Sequence, residues 1–165
     1  MSVKIFVPRD STAIALGAND VANAITSQAK AKGEEISLVR NGSRGMFWLE
    51  PLVEVEINGE RHAYGPVTEE DVKSLFDSNF TQGGKHALSL GKTEQIPFLK
   101  NQERLTFARI GITDPVSIDD YVAHEGYVGL KNALGLTQEQ IVQQVTDSGL
   151  RGRGGAAFPT GIKWN

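Results

Sequence analysis

Cysteine is absent from this sequence, and that one absence excludes disulfides, thiol catalysis and any cysteine-held zinc or iron–sulfur centre within the chain. It also removes the usual clue to redox compartment. Long apolar runs are missing as well: with 39% hydrophobic residues and a mean hydropathy of −0.26, no stretch approaches a transmembrane span. The first ten residues carry one early lysine, a short apolar run and Pro8-Arg9-Asp10, which is no signal-peptide pattern. A cytoplasmic location is therefore expected. Positive charge is not in excess either. Against 20 Asp+Glu stand 17 Lys+Arg, for a net charge of −3, which argues against a nucleic-acid partner. What remains is a 165-residue chain of globular composition, long enough for one ordinary domain or two small ones.

Glycine is the residue in surplus, with 18 in all and five of them between Gly149 and Gly161. Charge is also uneven. Residues 1–80 hold 8 basic and 12 acidic residues, whereas residues 81–165 hold 9 and 8; from Ser148 onward there are three bases (Arg151, Arg153, Lys163) and no acid.

Residues 1–80 read as alternating strands and helices. Val3 to Val7 is a β-rich run ended by Pro8, and Val21, Ile25 and Ala29 recur at helical spacing between Asn19 and Lys32, with Gly33 as the stop. Ile36 to Arg40 is a second strand. Leu52, Val53, Val55 and Ile57 form a third, alternating with Glu54 and Glu56; Asn58-Gly59 is a tight-turn signal, and Arg61 to Tyr64 returns as its hairpin partner. Thr68 is expected to cap a helix through Val72, Leu75 and Phe76. This β-α-β-β-β-α order predicts a small α/β fold of thioredoxin-like arrangement. Residues 81–96 read as a linker, and Phe98 to Ile110 as an extended segment. Ser117 caps a short helix, Tyr127 to Leu134 is a second amphipathic piece, and Thr137-x-x-Gln140 is a capping box opening a helix with Ile141, Val142 and Val145.

The stretch from Leu150 to Trp164, LRGRGGAAFPTGIKW, carries the chemistry. Glycines let a backbone approach a planar or phosphorylated ligand, and consecutive amides can form an anion-binding nest. Arg153 and Lys163 suit phosphate, while Phe158 and Trp164 offer aromatic faces. No Gly-Lys-Ser/Thr is present, so this is not a Walker A loop, and Ala157 stands where the usual dinucleotide fingerprint needs a third glycine. Residue chemistry alone leaves two readings open: a flexible basic surface loop, or a loop that seats an anionic cofactor.

From Gly149 to Trp164 the sequence resembles the FMN- and NADH-binding loop of the flavoprotein subunit shared by respiratory complex I, NAD-reducing hydrogenases and NAD-dependent formate dehydrogenases. Pro97-Phe98-Leu99, Gly111, Asp114-Pro115, Ser117-Ile118 and Tyr121 resemble the lead-in to that loop. The resemblance implies that Gly152, Arg153, Gly154 and Lys163 contact FMN, and that Gly155, Ala156 and Phe158 face the NAD nucleotide. It implies hydride exchange between stacked flavin and nicotinamide rings, with no catalytic acid or base supplied by the chain. Ala157 departs from the glycine that most members carry. Residues 97–165 would thus be the start of an FMN/NADH-binding domain, incomplete here. The family continues into the rest of the flavin fold and a 4Fe–4S site, so the isolated chain is expected to hold FMN weakly.

Residues 1–80 resemble the thioredoxin-like ferredoxin domain fused to some of these flavoproteins, through Leu16-Gly17-Ala18, Asn41-Gly42-x-x-Gly45, Glu50-Pro51-Leu52-Val53-Glu54-Val55 and Tyr64-Gly65-x-Val67-Thr68. By that resemblance, the four cysteines of a 2Fe–2S cluster would fall at Pro8, Ala13, Ser43 and Phe47, none of which can replace a thiolate. The implied role of such a domain is docking or structure. A cluster-less version is most similar to the β subunit of soluble molybdenum-containing, NAD-dependent formate dehydrogenase. Its implied partners are a small iron–sulfur subunit and a molybdenum-containing catalytic subunit. The diaphorase subunit of an NAD-reducing hydrogenase and a non-catalytic docking module are the alternatives. His62, His86 and His124 have no ligand-like spacing, Glu69-Glu70-Asp71 and Asp119-Asp120 suit first helical turns, and Phe47-Trp48 suits packing. No metal site and no Ser/His/Asp arrangement is expected.

Overall fold

The computed structural model describes residues 2–165. Two compact units divide the chain, residues 1–124 and residues 125–165.

In the first unit, β1 (Val3–Phe6) leads into α1 (Ser11–Ala15) and α2 (Ala18–Lys32), and the chain returns as β2 (Ile36–Val39). Pairing of β1 with β2 is parallel, Val3 against Ile36 through Phe6 against Val39. Strand β3 (Val53–Ile57) runs antiparallel to β1 and forms a hairpin with β4 (Glu60–Tyr64). The turn residues Asn58 and Gly59 both have positive φ, 53° and 80°, as the tight-turn signal requires. Helix α3 (Asp71–Asp77) follows, and β5 (Ser89–Lys92) completes the sheet order β2-β1-β3-β4-β5. A βαβ unit joined to an antiparallel hairpin in this order is the expected thioredoxin-like arrangement.

Period-two alternation divides the sheet into two faces. Ile5, Val7, Val53, Val55 and Tyr64 pack with Val21, Ile25 and Ala29 of α2, Val72, Leu75 and Phe76 of α3, and Phe80. On the opposite face stand Phe6, Glu54 and Ala63, neighbours across the paired strands. Met46, Leu52, Ala63 and Leu99 form a smaller apolar cluster there. Beside it, exposed Trp48 meets Phe98 edge to face at 5.1 Å.

Four local expectations are revised. Helix α1 was not foreseen, although Asp10 caps it by accepting from the N–H groups of Thr12 and Ala13. Residues 81–96, read as a linker, contain β5: an edge strand needs only backbone partners, so its poverty in large apolar side chains gave no sign of it. The segment expected to be extended begins instead with α4 (Pro97–Lys100), where Pro97 takes the first-turn position that tolerates its missing N–H. At α3 the cap runs in reverse, with the Asp71 carboxylate accepting from both the N–H and the hydroxyl of Thr68. Ser117 does cap α5 (Ile118–Ala123), its hydroxyl accepting from Asp120 N–H.

The second unit comprises α6 (Val128–Ala133), α7 (Gln138–Asp147) and α8 (Thr160–Trp164). Both halves of the Thr137/Gln140 capping box form at the start of α7. Among the described residues, no helix is long and apolar enough to cross a membrane.

Candidate functional site

The glycine-rich stretch lies between α7 and α8 and closes on itself. Gly152 N–H donates to the Phe158 carbonyl at 2.9 Å, and Thr160 N–H to the Leu150 carbonyl at 2.9 Å. Arg151 Nε adds a third closure, donating to the Ala157 carbonyl at 2.7 Å. The bridge from Arg151 to Pro159 thereby gathers Gly152, Arg153, Gly154, Gly155, Ala156 and Phe158 into one exposed loop, with Lys163 on the helix that follows. Among the described residues, the N–H groups of 153–157 donate to no other group of the chain, and Arg153 and Lys163 form no ion pair.

The glycines of this region do two different jobs. A side chain at Gly154 or Gly155 would meet nothing within 4 Å, so these residues leave the backbone open to an approaching molecule. A Cβ at Gly161 would lie 2.2 Å from Thr146 Oγ1 and 2.6 Å from Thr146 Cα. Gly161 is therefore a packing residue that lets α8 close against α7. Ala157 has φ 49°, the left-handed region in which an L side chain is strained. That conformation gives a local physical reason for glycine at this position.

The positions that resemble cluster ligands lie in the first unit. Pro8 and Ala13 are buried, Phe47 is exposed, and Ser43 is engaged: its hydroxyl donates to Glu50 Oε1 at 2.7 Å and accepts from Gly45 N–H at 3.0 Å. Ser43 and Phe47 border a groove with Asp10, Thr12, Arg109 and Tyr121. Among the described residues no three His, Asp or Glu side chains group as a metal site.

Glu50 also accepts from Leu52 N–H at 2.9 Å, and burial pushes its carboxyl above the ordinary value of 4.5, against the pull of the Ser43 and Leu52 donors. A raised pKa means that the folded chain holds this proton more tightly than the unfolded chain. Its stabilising contribution is complete below pH 4.5 and is lost as pH rises through the folded-state value. Urea unfolding across a pH series is expected to show this falling component in the native protein and to lose it in Glu50→Gln. An identical pH slope in the two proteins would contradict it.

Sequence reasoning missed a second polar centre. Glu54, 1% exposed, accepts from Arg44 Nη2 at 2.9 Å and Arg61 Nη1 at 3.3 Å, while Arg44 Nη1 reaches Glu94 at 2.7 Å. Arg61 also stacks over Phe6 at 3.7 Å, and its burial lowers the guanidinium pKa against the opposing charge of Glu54. Strand alternation alone reads Glu54 as solvent-facing. Two of its partners, Asn41 and Arg61, are held in turn by the Gly111 carbonyl, 70 and 50 positions further along the chain, each at 2.9 Å.

No family model matches the chain. Over 65 residues it is 55% identical to NADP-reducing hydrogenase subunit HndC of Solidesulfovibrio fructosivorans, a stretch covering 39% of this chain and 13% of that protein. Over 52 residues it is 54% identical to an NADH-quinone oxidoreductase subunit of Escherichia coli, covering 31% and 12% respectively. A thioredoxin-like 2Fe–2S ferredoxin from Aquifex aeolicus superposes with a TM-score of 0.47 at 18% identity, covering 56% of this chain and 93% of the ferredoxin. The matched stretches thus span about an eighth of the curated relatives' lengths. Homologues of this chain are subunits of oxidoreductases that act with NADH or NADP.

Proposed function

We propose that residues 97–165 belong to the FMN- and NAD-binding part of a diaphorase, an NADH:acceptor oxidoreductase subunit working in the cytoplasm within a multi-subunit complex, and that residues 1–80, together with the β5 strand that completes their sheet, are its cluster-less thioredoxin-like domain. The observation that carries this reading is the closed loop 151–159: among the described residues its N–H groups at 153–157 donate to no other group, and Arg153 in the loop and Lys163 on the helix that follows form no ion pair. Such a loop fits a phosphorylated planar cofactor. The open approach at Gly154 and Gly155 admits a ring or a phosphate, and the amides and cations favour negative charge. Bound FMN would supply hydride exchange with NAD. The chain's own contribution is positional: Gly152, Gly154, Arg153 and Lys163 seat the FMN, Gly155 and Ala156 leave room for the nucleotide, and exposed Phe158 offers a stacking face.

Within that reading, the finer assignment is the β subunit of a molybdenum-containing formate dehydrogenase, supported by the cluster-less Asn41-Gly42-Ser43-Arg44-Gly45 and Trp48-Leu49-Glu50-Pro51 segments. A diaphorase subunit of a hydrogenase is the second reading, favoured by the 55% identity to a hydrogenase subunit. Partners that co-purify and reduce NAD with formate rather than hydrogen support the first; hydrogen-dependent reduction overturns it in favour of the second.

In the intact complex, Arg153→Ala and Lys163→Ala are each expected to weaken flavin retention about 10- to 100-fold, the range for loss of one charge-assisted contact. Flavin absorbance after gel filtration and NADH–ferricyanide activity measure it. Unchanged flavin content and activity in both variants would remove the loop from the site.

A further inference from the structure

Glu54 and its arginines are not a closed polar cluster, because one of their contacts is with a distant stretch of main chain. The Gly111 carbonyl accepts from Asn41 Nδ2 at 2.9 Å and from Arg61 Nη1 at 2.9 Å. Two residues on, the Thr113 carbonyl accepts from Gly42 N–H at 2.9 Å, and Asp114 pairs with Arg9 at 3.2 Å. Asn41 and Arg44 are themselves buried, and Asn41 and Arg44 also bond to Glu54 Oε2, each at 3.3 Å. Gly111 fits with no margin. Its φ is +74°, and a Cβ there would lie 2.0 Å from Arg44 Cδ.

We propose that the loop Asn41–Arg44, together with Glu54, Arg61 and Arg9, is an intrachain socket whose occupant is residues 111–114, and that this socket anchors the strand of chain leading out of the first unit. The loop that resembles a cluster-binding loop thereby binds a peptide of its own chain. Recognition is of main chain more than side chain: two carbonyls are read by an amide, a guanidinium and a backbone N–H, and one carboxylate is read by Arg9. Glu54 acts as a positioning residue, since it holds Asn41, Arg44 and Arg61 in the geometry that the strap requires. The socket lies wholly in the first unit and stands or falls independently of the flavin reading.

Residue-resolved hydrogen exchange on the full chain tests it, with the Gly42 amide reporting socket occupancy and the amides of β1 and β3 reporting the sheet. In Gly111→Ala, the Gly42 amide is expected to exchange at least about tenfold faster with the sheet amides unchanged, and trypsin to cut after Arg109 sooner. Arg9→Met, which leaves the strap's own turn intact, is expected to speed Gly42 exchange about two- to fivefold. If Gly111→Ala does not fold, Arg9→Met decides alone. Unchanged Gly42 exchange, or sheet amides that accelerate in step with Gly42, would overturn the socket.

Discussion

Glu54→Ala is expected to cost about 3–5 kcal/mol of folding stability, the range for stranding a buried charge. The carboxylate is 1% exposed and stands between two guanidinium groups, one of which, Arg44, has a side chain only 4% exposed. Its removal leaves Arg44 buried beside Arg61 with only the exposed Glu94 to balance it. The cost is the stranded charge rather than the lost contact, and this makes a sharp contrast testable. Arg44→Met combined with Glu54→Leu removes the two most deeply buried charges together, leaving only the more exposed Arg61, and is expected to be milder than Glu54→Ala alone. Urea midpoints for the two proteins check this order. A double variant less stable than the single would show that packing, not charge, sets the penalty.

Gly161→Ala is expected to open the second unit, at a cost of about 1–3 kcal/mol for forced overpacking. The added methyl would meet Thr146 at Oγ1, Cβ and Cα, at 2.2, 2.8 and 2.6 Å. Because one of those atoms is backbone, trimming the neighbour does not make room. Thr146→Ala in the Gly161→Ala background is therefore expected to leave much of the loss in place. Exchange of α7 amides measures it, and full rescue by Thr146→Ala would show that only the side chain obstructs. The Leu150–Thr160 bond that closes the glycine-rich loop ends at the start of α8, so faster exchange at Thr160 is expected alongside.

The parts legible in the sequence are those built from neighbours in the chain. Val21, Ile25 and Ala29 point to α2 through spacing alone, Asn58-Gly59 points to the hairpin, and Thr137 with Gln140 points to the cap of α7. The strap over Glu54 was not legible, since hydrogen bonds from Asn41 to Gly111 and from Arg9 to Asp114 join residues 70 and 105 positions apart. Nor does sequence distinguish a glycine that admits a ligand from one that admits a helix: Gly154 and Gly161 look alike until Thr146 is seen beside only one of them. Ala157 lies between these cases. Its departure from the glycine of the loop that the sequence resembles was visible at once, whereas the left-handed backbone that makes the departure matter was not.

The two indoles have a practical consequence for spectroscopy. Trp48, 61% exposed against the ring edge of Phe98, belongs to the first unit, and Trp164, 55% exposed on α8, belongs to the second. The chain has no other tryptophan. Tryptophan emission, excited to the red of tyrosine absorption, therefore carries one reporter from each unit, and a Trp48→Phe protein would give tryptophan emission from α8 alone, an optical readout of the unit that holds the glycine-rich loop with no added dye.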